Sequence, residues 1–432
     1  MSTERNDGRE VTRASAPTNP MAMSCPHLAE TFNLMDPDQA ANPYLLFAQG
    51  RRECPVFYSP AAGAWIVTRY DDIAAIAHDW MRFSSAHANK TTQELPPEAL
   101  AIKKLVHAEV PGLVDCDPPQ HTRFRKLTNQ AFTVPRVRAM EPAIRRTALE
   151  LLDQFPRDGR ADLVKQFAMP LPLLTIMRVL GLPDHDAPLI RTWSVDYNRE
   201  RSPSLPLEER LQYTHGVAAL RFSLASAVEE RRARPREDAL THLVQAEADG
   251  EKLSTWEIVS IAHQLVFAGH ETTIGLIGTM LHHLLMKPER WQAVRENPDL
   301  IPRAVEEALR REGPVTGMFR TTTQPVEIGG VSIPKGARIQ LMFASGSHDE
   351  KYFEDAERFD LSRENLSEHM AFGVERHFCI GAPLARAVGR IALETLVERL
   401  PGLRLVPDQK VEFTRSALFH ARASLAVEWD VS

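Results

Sequence analysis

The chain has 432 residues, 43% hydrophobic and 25% charged, and 51 Lys+Arg against 57 Asp+Glu leave a formal net charge of −6. This length admits about three average domains or one large one, and ordinary globular usage excludes disorder, collagen and coiled coil as the main state. The balance of charge gives no global footprint for nucleic acid. The absence of any run of about 18 apolar residues speaks against a membrane anchor. Four cysteines, Cys25, Cys54, Cys116 and Cys379, show no C-x-x-C spacing. That argues against a disulfide framework or zinc ribbon and suits a reducing compartment, so a cytoplasmic location is expected. Residues 1–24 mix charges with Ser, Thr, Asn and Pro and lack the apolar stretch of a targeting signal. They are expected to form a disordered tail ahead of one domain spanning 25–432.

In chain order, a short helical pattern opens near Asn42-Pro43-Tyr44. Pro55-Val56-Phe57-Tyr58 and Trp65-Ile66-Val67-Thr68, flanking a Gly-containing turn, then read as a hairpin. From Asp71 the pattern is mainly helical, with loops at 84–98 and 202–206. The clearest element starts at Ser254, where Ser254-Thr255-Trp256-Glu257 forms a capping box. Apolar residues recur from Ile258 to Met280, and Lys287-Pro288 ends the run. The spacing predicts a helix of about 32 residues, ~48 Å long, and its apolar character on more than one face places it at the centre of a large domain. Gly269-His270-Glu271-Thr272-Thr273 in its middle has two readings. In one, a threonine bonds back one turn and only bends the helix. In the other, the helix widens locally and Glu271 and Thr272 hold water and pass protons.

A second helix is predicted over 300–311, with Glu307 and Arg310 on one face at i,i+3. Strands follow at Phe319–Thr323, Val326–Ile328 and Arg338–Met342. Near the C-terminus, Phe372-Gly373-Val374-Glu375-Arg376-His377-Phe378-Cys379-Ile380-Gly381 precedes a helical run from Ala382 to Leu400. Cys379 thus stands just before a helix N-terminus, where the dipole and free amides favour a thiolate.

This loop resembles the cysteine-ligand loop of the cytochromes P-450, Phe-Gly-x-Gly-x-His/Arg-x-Cys-x-Gly, followed by the family's Leu-Ala-Arg at Leu384, Ala385 and Arg386. Glu375 departs from it by occupying the second glycine position. The resemblance implies a mainly α, large multihelical cytochrome P-450-type single domain with a small β-rich part. It also implies a haem b (iron protoporphyrin IX) cofactor whose iron is held by Cys379, within a loop shaped by Phe372, Gly373 and Gly381. A thiolate ligand pushes electron density onto iron and favours O–O cleavage, the case for which this family is the standard example. By the same resemblance His121, Arg125, Arg320 and His377 hold the haem propionates. Ala268 and Gly269 form an oxygen-binding groove in which Thr272 steadies dioxygen and its water while Glu271 relays protons. Glu307, Arg310 and Arg363 form a structural triad, with Arg358 as the other candidate for its third member. The segment Ser347-His348-Asp349-Glu350 replaces the commoner Asn-Arg-Asp-Pro.

The implied activity is insertion of one atom of dioxygen into a small or medium apolar organic substrate, by hydroxylation or oxidative demethylation. Electrons would come from a separate ferredoxin and ferredoxin reductase, for which Arg386 and Arg390 are candidate docking groups. Their other reading is a solvated or propionate-facing role. The protein is expected to be a monomer. The substrate pocket is expected to draw on Phe267, Val315, Met318, Phe319, Leu418 and Phe419, whose apolar character fits such a substrate. A haem-thiolate peroxygenase or isomerase and a non-catalytic haem sensor are the alternatives, and the acid–alcohol pair weighs against the first.

Overall fold

The computed structural model describes residues 25–86, 95–200, 205–248, 250–414, 416 and 418–431. The expected N-terminal tail and parts of the two loops predicted at 84–98 and 202–206 lie outside the described residues. The fold is built on the predicted central helix, Thr255–Leu285. The Ser254 hydroxyl accepts from the Glu257 amide at 3.3 Å, and the Glu257 carboxylate accepts from the Ser254 amide at 2.8 Å, so both free donors are satisfied reciprocally. Of its 31 residues, 21 are buried, which requires neighbours on every side. Helices Pro170–Leu180, Leu207–Ala233, Leu300–Glu312 and Ala382–Arg399 pack directly against it. One large apolar core runs through these helices and includes Phe124, Phe167, Ile176, Leu276, Val305 and Leu393.

The β-rich part is a five-stranded sheet at one side. Val56–Ser59 and Ala64–Val67 form the predicted hairpin, with Val56 opposite Val67. Arg338–Leu341 adds in parallel to Ala64–Val67, and Met318–Thr322 adds antiparallel to Arg338–Leu341. Phe83–Ser84 closes the edge. A separate small hairpin joins Val326–Ile328 to Val331–Ile333.

Two cysteines depart from the reading of their spacing. The sulfurs of Cys25 and Cys54 are bonded, with Cα atoms 6.2 Å apart and the residues 29 positions apart in the chain. Spacing rules detect only local motifs, whereas this pair is brought together by packing of the helix Pro26–Thr31 against Val56–Ser59. Cys116 and Cys379 are free thiols.

The helix Leu300–Glu312 carries a buried ionic knot. Arg310 donates through Nε and Nη2 to the two Glu307 oxygens at 2.7 and 2.9 Å, and both side chains are fully shielded from solvent. The remaining guanidinium hydrogens go to the Ser347, Ala356 and Arg358 carbonyls. Arg363 reaches Glu307 at 3.5 Å and donates to the Glu354 and Asp355 carbonyls. The Arg358 side chain points to solvent and, among the described residues, forms its ion pair with Asp360, at 3.9 Å, not with Glu307, so Arg363 is the arginine placed at the knot. Together these bonds fasten the irregular segment 347–363, which leads into the cysteine loop, onto the helix.

Removing one partner of a buried pair leaves an uncompensated charge and costs about 3–5 kcal/mol. Arg310→Ala is therefore expected to lower stability by about that amount in a denaturant titration. Arg358→Ala should stay within about 0.5 kcal/mol, as exposed substitutions usually do.

Candidate active site

The cysteine loop folds because its glycine and hydrogen bonds leave little choice. Gly373 has φ 68°, a left-handed conformation that costs glycine little. The Gly373 amide donates to the Met370 carbonyl and the Cys379 amide to the Phe372 carbonyl, each at 2.8 Å. Gly381 then caps the helix Ala382–Arg399, with Pro383 in its first turn, where a missing amide hydrogen costs nothing. Burial pushes the Cys379 thiol above its ordinary range, opposed by the Gly381 amide, the Arg125 and Arg386 guanidinium groups and the Ala382 amide. Phe372 is buried beneath Arg386, whose guanidinium lies 4.5 Å from the ring centre. Glu375, at the glycine position of the resembling loop, has φ 57°. The turn is therefore kept, at a cost on the order of 1–2 kcal/mol for a side-chain-bearing residue. Its carboxylate lies 3.4 Å from His78 Nδ1 on the surface.

A second group of side chains combines three arginines with two imidazoles. His121 and Arg125 lie one turn apart on the helix Gln120–Asn129. The His121 ring is 4.2 Å from that of His377, and His377 Nε2 meets the Ser85 hydroxyl at 3.0 Å. Burial, then Arg125 and Arg376, lower the His121 pKa to about 4. Burial, then Arg320, His121 and Arg125, take His377 to about 2. His121 Nε2 and Arg376 Nε are buried with no hydrogen-bond partner among the described residues. Among the described residues, no carboxylate lies within ion-pair distance of Arg125, Arg320 or Arg376, and Asp117 is spent on Ser84 and the Ser85 amide. Buried cations are ordinarily paired. Convergent unpaired donors beside a free thiol fit a group that brings its own two carboxylates, as haem does with its propionates. Arg376 belongs to this set although the motif marks its position only as variable. The usable signal was its place next to His377, on a loop already assigned to the cofactor.

The free Cys379 thiol opens into a cavity of about 280 Å³ whose other wall is the middle of the central helix, at Phe267, Ala268, Gly269 and Thr272. Val315, Met318, Leu418 and Phe419 also line it. Phe319 does not: it faces the other way, packing with Ala64 and beneath the Arg338 guanidinium, 3.5 Å from its ring centre. Alternation along the strand explains the difference, since Met318 and Arg320 share one face and Phe319 takes the opposite one. Phe267 meets Tyr197 and Phe419 edge-on at 5.1 and 5.4 Å, giving the cavity an aromatic roof.

The helix is not widened at Gly269–Thr273, because helical bonding runs unbroken from Thr255 to Leu285. The Thr272 hydroxyl donates to the Ala268 carbonyl at 2.7 Å and that of Thr273 to Gly269 at 3.0 Å. Gly269 is required by close packing: an added Cβ would stand 2.9 Å from Ile176 on the crossing helix. Glu271 lies half-buried, its carboxylate 3.1 Å from His270 Nε2 without hydrogen-bond alignment. His270 Nδ1 instead donates to the Val266 carbonyl.

The chain is 35% identical over 400 residues to the cytochrome P450 monooxygenase PikC of Streptomyces venezuelae, covering 91% of this chain and 92% of that one. The chain belongs to the cytochrome P450 family. The family's sequence model matches residues 215–414. A 6-deoxyerythronolide B hydroxylase of Saccharopolyspora erythraea is 36% identical over 90% of this chain and 96% of its own. A cytochrome P450 CREJ solved in complex with (4-ethylphenyl) dihydrogen phosphate superposes with a TM-score of 0.86 at 34% identity, covering 92% of this chain and 98% of that one. The protein is thus a P450 enzyme with haem b as its cofactor, and among the described residues no helix is long and apolar enough to cross a membrane.

The two arginines considered for partner docking are both engaged. Arg386 makes a bidentate pair with Glu306 at 2.7 and 2.8 Å. Burial would raise the Glu306 carboxyl, but bonds from Arg386 and His369 outweigh it and hold the pKa at about 2. Arg390 is shared between Glu141 and Glu394. Both residues tie this P450's cysteine-loop helix to its neighbours instead of presenting free charge.

Because Glu375 sustains a glycine conformation, Glu375→Gly should leave the haem-loaded protein at least as stable as wild type in a thermal melt. Glu375→Ala should give no such relief, since it too carries a Cβ. Marked destabilisation by the glycine variant would mean that the His78 contact outweighs the strain.

Proposed function

We propose that this P450 is a monooxygenase that inserts one atom of dioxygen into a small or medium apolar organic substrate, with electrons from a separate ferredoxin and its reductase. The observation that carries the reading is the continuous cavity from Cys379 to Thr272, walled on the substrate side by apolar and aromatic groups. Cys379 would be the axial ligand, and His121, Arg125, Arg320, Arg376 and His377 the propionate donors, since buried carboxylates call for charge-assisted hydrogen bonds. When bound, haem b supplies the activation of dioxygen.

The other steps fall to the chain. The roof of Tyr197, Phe267 and Phe419 excludes water and orients an apolar body by edge contacts. With its proton given to the Ala268 carbonyl, the Thr272 hydroxyl offers the cavity lone pairs that accept a hydrogen bond. Turning the hydroxyl inward makes it a donor. Glu271, beside His270 at the margin of the groove, is placed to take a proton from solvent and pass it on. The CREJ relative bound to (4-ethylphenyl) dihydrogen phosphate supports an alkyl-aromatic as one member of the substrate class. The hydroxylase named for 6-deoxyerythronolide B supports a larger one.

Candidate apolar compounds can be screened by the spin-state change of the ferric haem, and a responsive compound then turned over with a surrogate ferredoxin system. Thr272→Ala should bind that compound within about twofold of wild type yet send most electrons to hydrogen peroxide, at a cost of about tenfold or more in product per electron. Product per electron equal to wild type would remove Thr272 from the proton path.

A further inference from the structure

The distal wall is held by a buried carboxylate outside the family motif. Glu312 ends the helix Leu300–Glu312, two residues beyond Arg310. Its Oε1 accepts from His420 Nε2 at 2.6 Å, and its Oε2 accepts from Arg422 Nη2 and His283 Nε2, each at 2.9 Å. Arg422 also donates to the Thr279 hydroxyl at 2.9 Å, on the central helix two turns after Thr272. Burial alone would raise the Glu312 carboxyl, yet Arg422, His283 and His420 keep it well below the usual range.

His420 directly follows Phe419, the ring that meets Phe267 over the cavity. The backbone completes the attachment: Val315 and Phe419 form an antiparallel bridge, the Thr316 amide donates to Leu418, and the His420 amide donates to Pro314. From the opposite side, Gly275 clears the way. A Cβ there would stand 2.7 Å from Pro314 Cβ, closer than real contacts allow, and a tight 3.2 Å from the His420 carbonyl oxygen. Glu312 therefore holds the segment 418–422 from one side, and a side chain at position 275 would press on Pro314, to which the His420 amide is bonded, and crowd the segment from the other.

We propose that Glu312 is a specificity-positioning residue: through His420 and Arg422 it sets where Phe419 stands, and hence which ligand shapes fit between Phe419 and Phe267. The proposal rests on the reading of this cavity as the substrate site. Phe419 lines the cavity, whereas Glu312 lies behind it, so Glu312 acts on ligands only through the loop. An apolar contact of equal volume in its place would leave His420 and Arg422 without their common anion, and two backbone bonds would be left to register the ring.

The test uses the haem-loaded full chain and two probes that ligate iron alike but differ in size, imidazole and 4-phenylimidazole, read by their difference spectra. The ratio of their dissociation constants cancels general losses of folding or cofactor. Phe419→Ala should change this ratio by about three- to tenfold, the range of an aromatic edge contact. Glu312→Gln should change it in the same direction by at least about threefold, with imidazole affinity within about twofold of wild type. If Glu312→Gln does not accumulate as folded protein, Gly275→Ala displaces the same loop from the other side and should move the ratio likewise. A wild-type ratio in Glu312→Gln, or in Gly275→Ala where the first cannot be made, against a changed ratio in Phe419→Ala overturns the positioning role alone. A wild-type ratio in Phe419→Ala overturns the substrate-site reading, and the role of Glu312 with it.

Discussion

Positive charge shielded from water without a protein counter-charge is the constraint on which the rest of the structure depends. Arg125, Arg320 and Arg376 converge beside Cys379 around the His121–His377 pair, whose imidazoles are held neutral, and no carboxylate among the described residues is within ion-pair reach of the three arginines. Isolated buried charge is costly, and a fold tolerates it when a ligand supplies the opposite sign. Each neighbouring device serves to keep these donors fixed. The Glu307–Arg310–Arg363 knot secures the segment leading into the cysteine loop. Glu306 and Arg386 secure the helix that follows it. The sheet aims Arg320 by alternation along Met318–Thr322. Elsewhere the same chemistry appears closed, since Arg386, Arg390 and Arg422 all have carboxylate partners.

The central helix divides the labour with this side. Its N-terminal half meets Pro170–Leu180 closely enough to need Gly269, and its C-terminal half meets Pro314, which is bonded to the 418–422 loop, closely enough to need Gly275. Between them lie Glu271 and Thr272. Two close approaches, one on each side, thus fix the groove in which proton transfer is proposed to occur, and the Glu312 cluster adds an electrostatic hold on the second.

How far the sequence alone reveals this depends on the kind of interaction. The capping box, apolar periodicity and Pro stop of Thr255–Leu285 are local, and the observed helix agrees with them to within a residue or two. The cysteine loop was legible because many positions match one pattern, and Glu375 keeps the glycine turn despite its side chain. Long-range pairings were not legible. The Cys25–Cys54 bond, the engagement of Arg386 and Arg390, and the Glu312–His420–Arg422 cluster join residues from 29 to 249 positions apart, with no shared motif. Phe319 was assigned to the pocket by segment, whereas the strand's two-residue period turns it away. For the groove at Gly269–Thr273, sequence left open either threonine back-bonding or a local widening. Back-bonding to Ala268 and Gly269 and the packing of Ile176 account for those residues within an unbroken helix.

The central claim is that Cys379 ligates haem as a thiolate within this cationic cradle. The most direct test is the carbon monoxide difference spectrum of the reduced, haem-loaded protein, wild type beside Cys379→His. Wild type should show the strongly red-shifted Soret band of a thiolate-ligated haem, and the variant a band at the ordinary imidazole-haem position. A wild-type band already at the imidazole position, or a red-shifted band that survives the substitution, would contradict the assignment of Cys379.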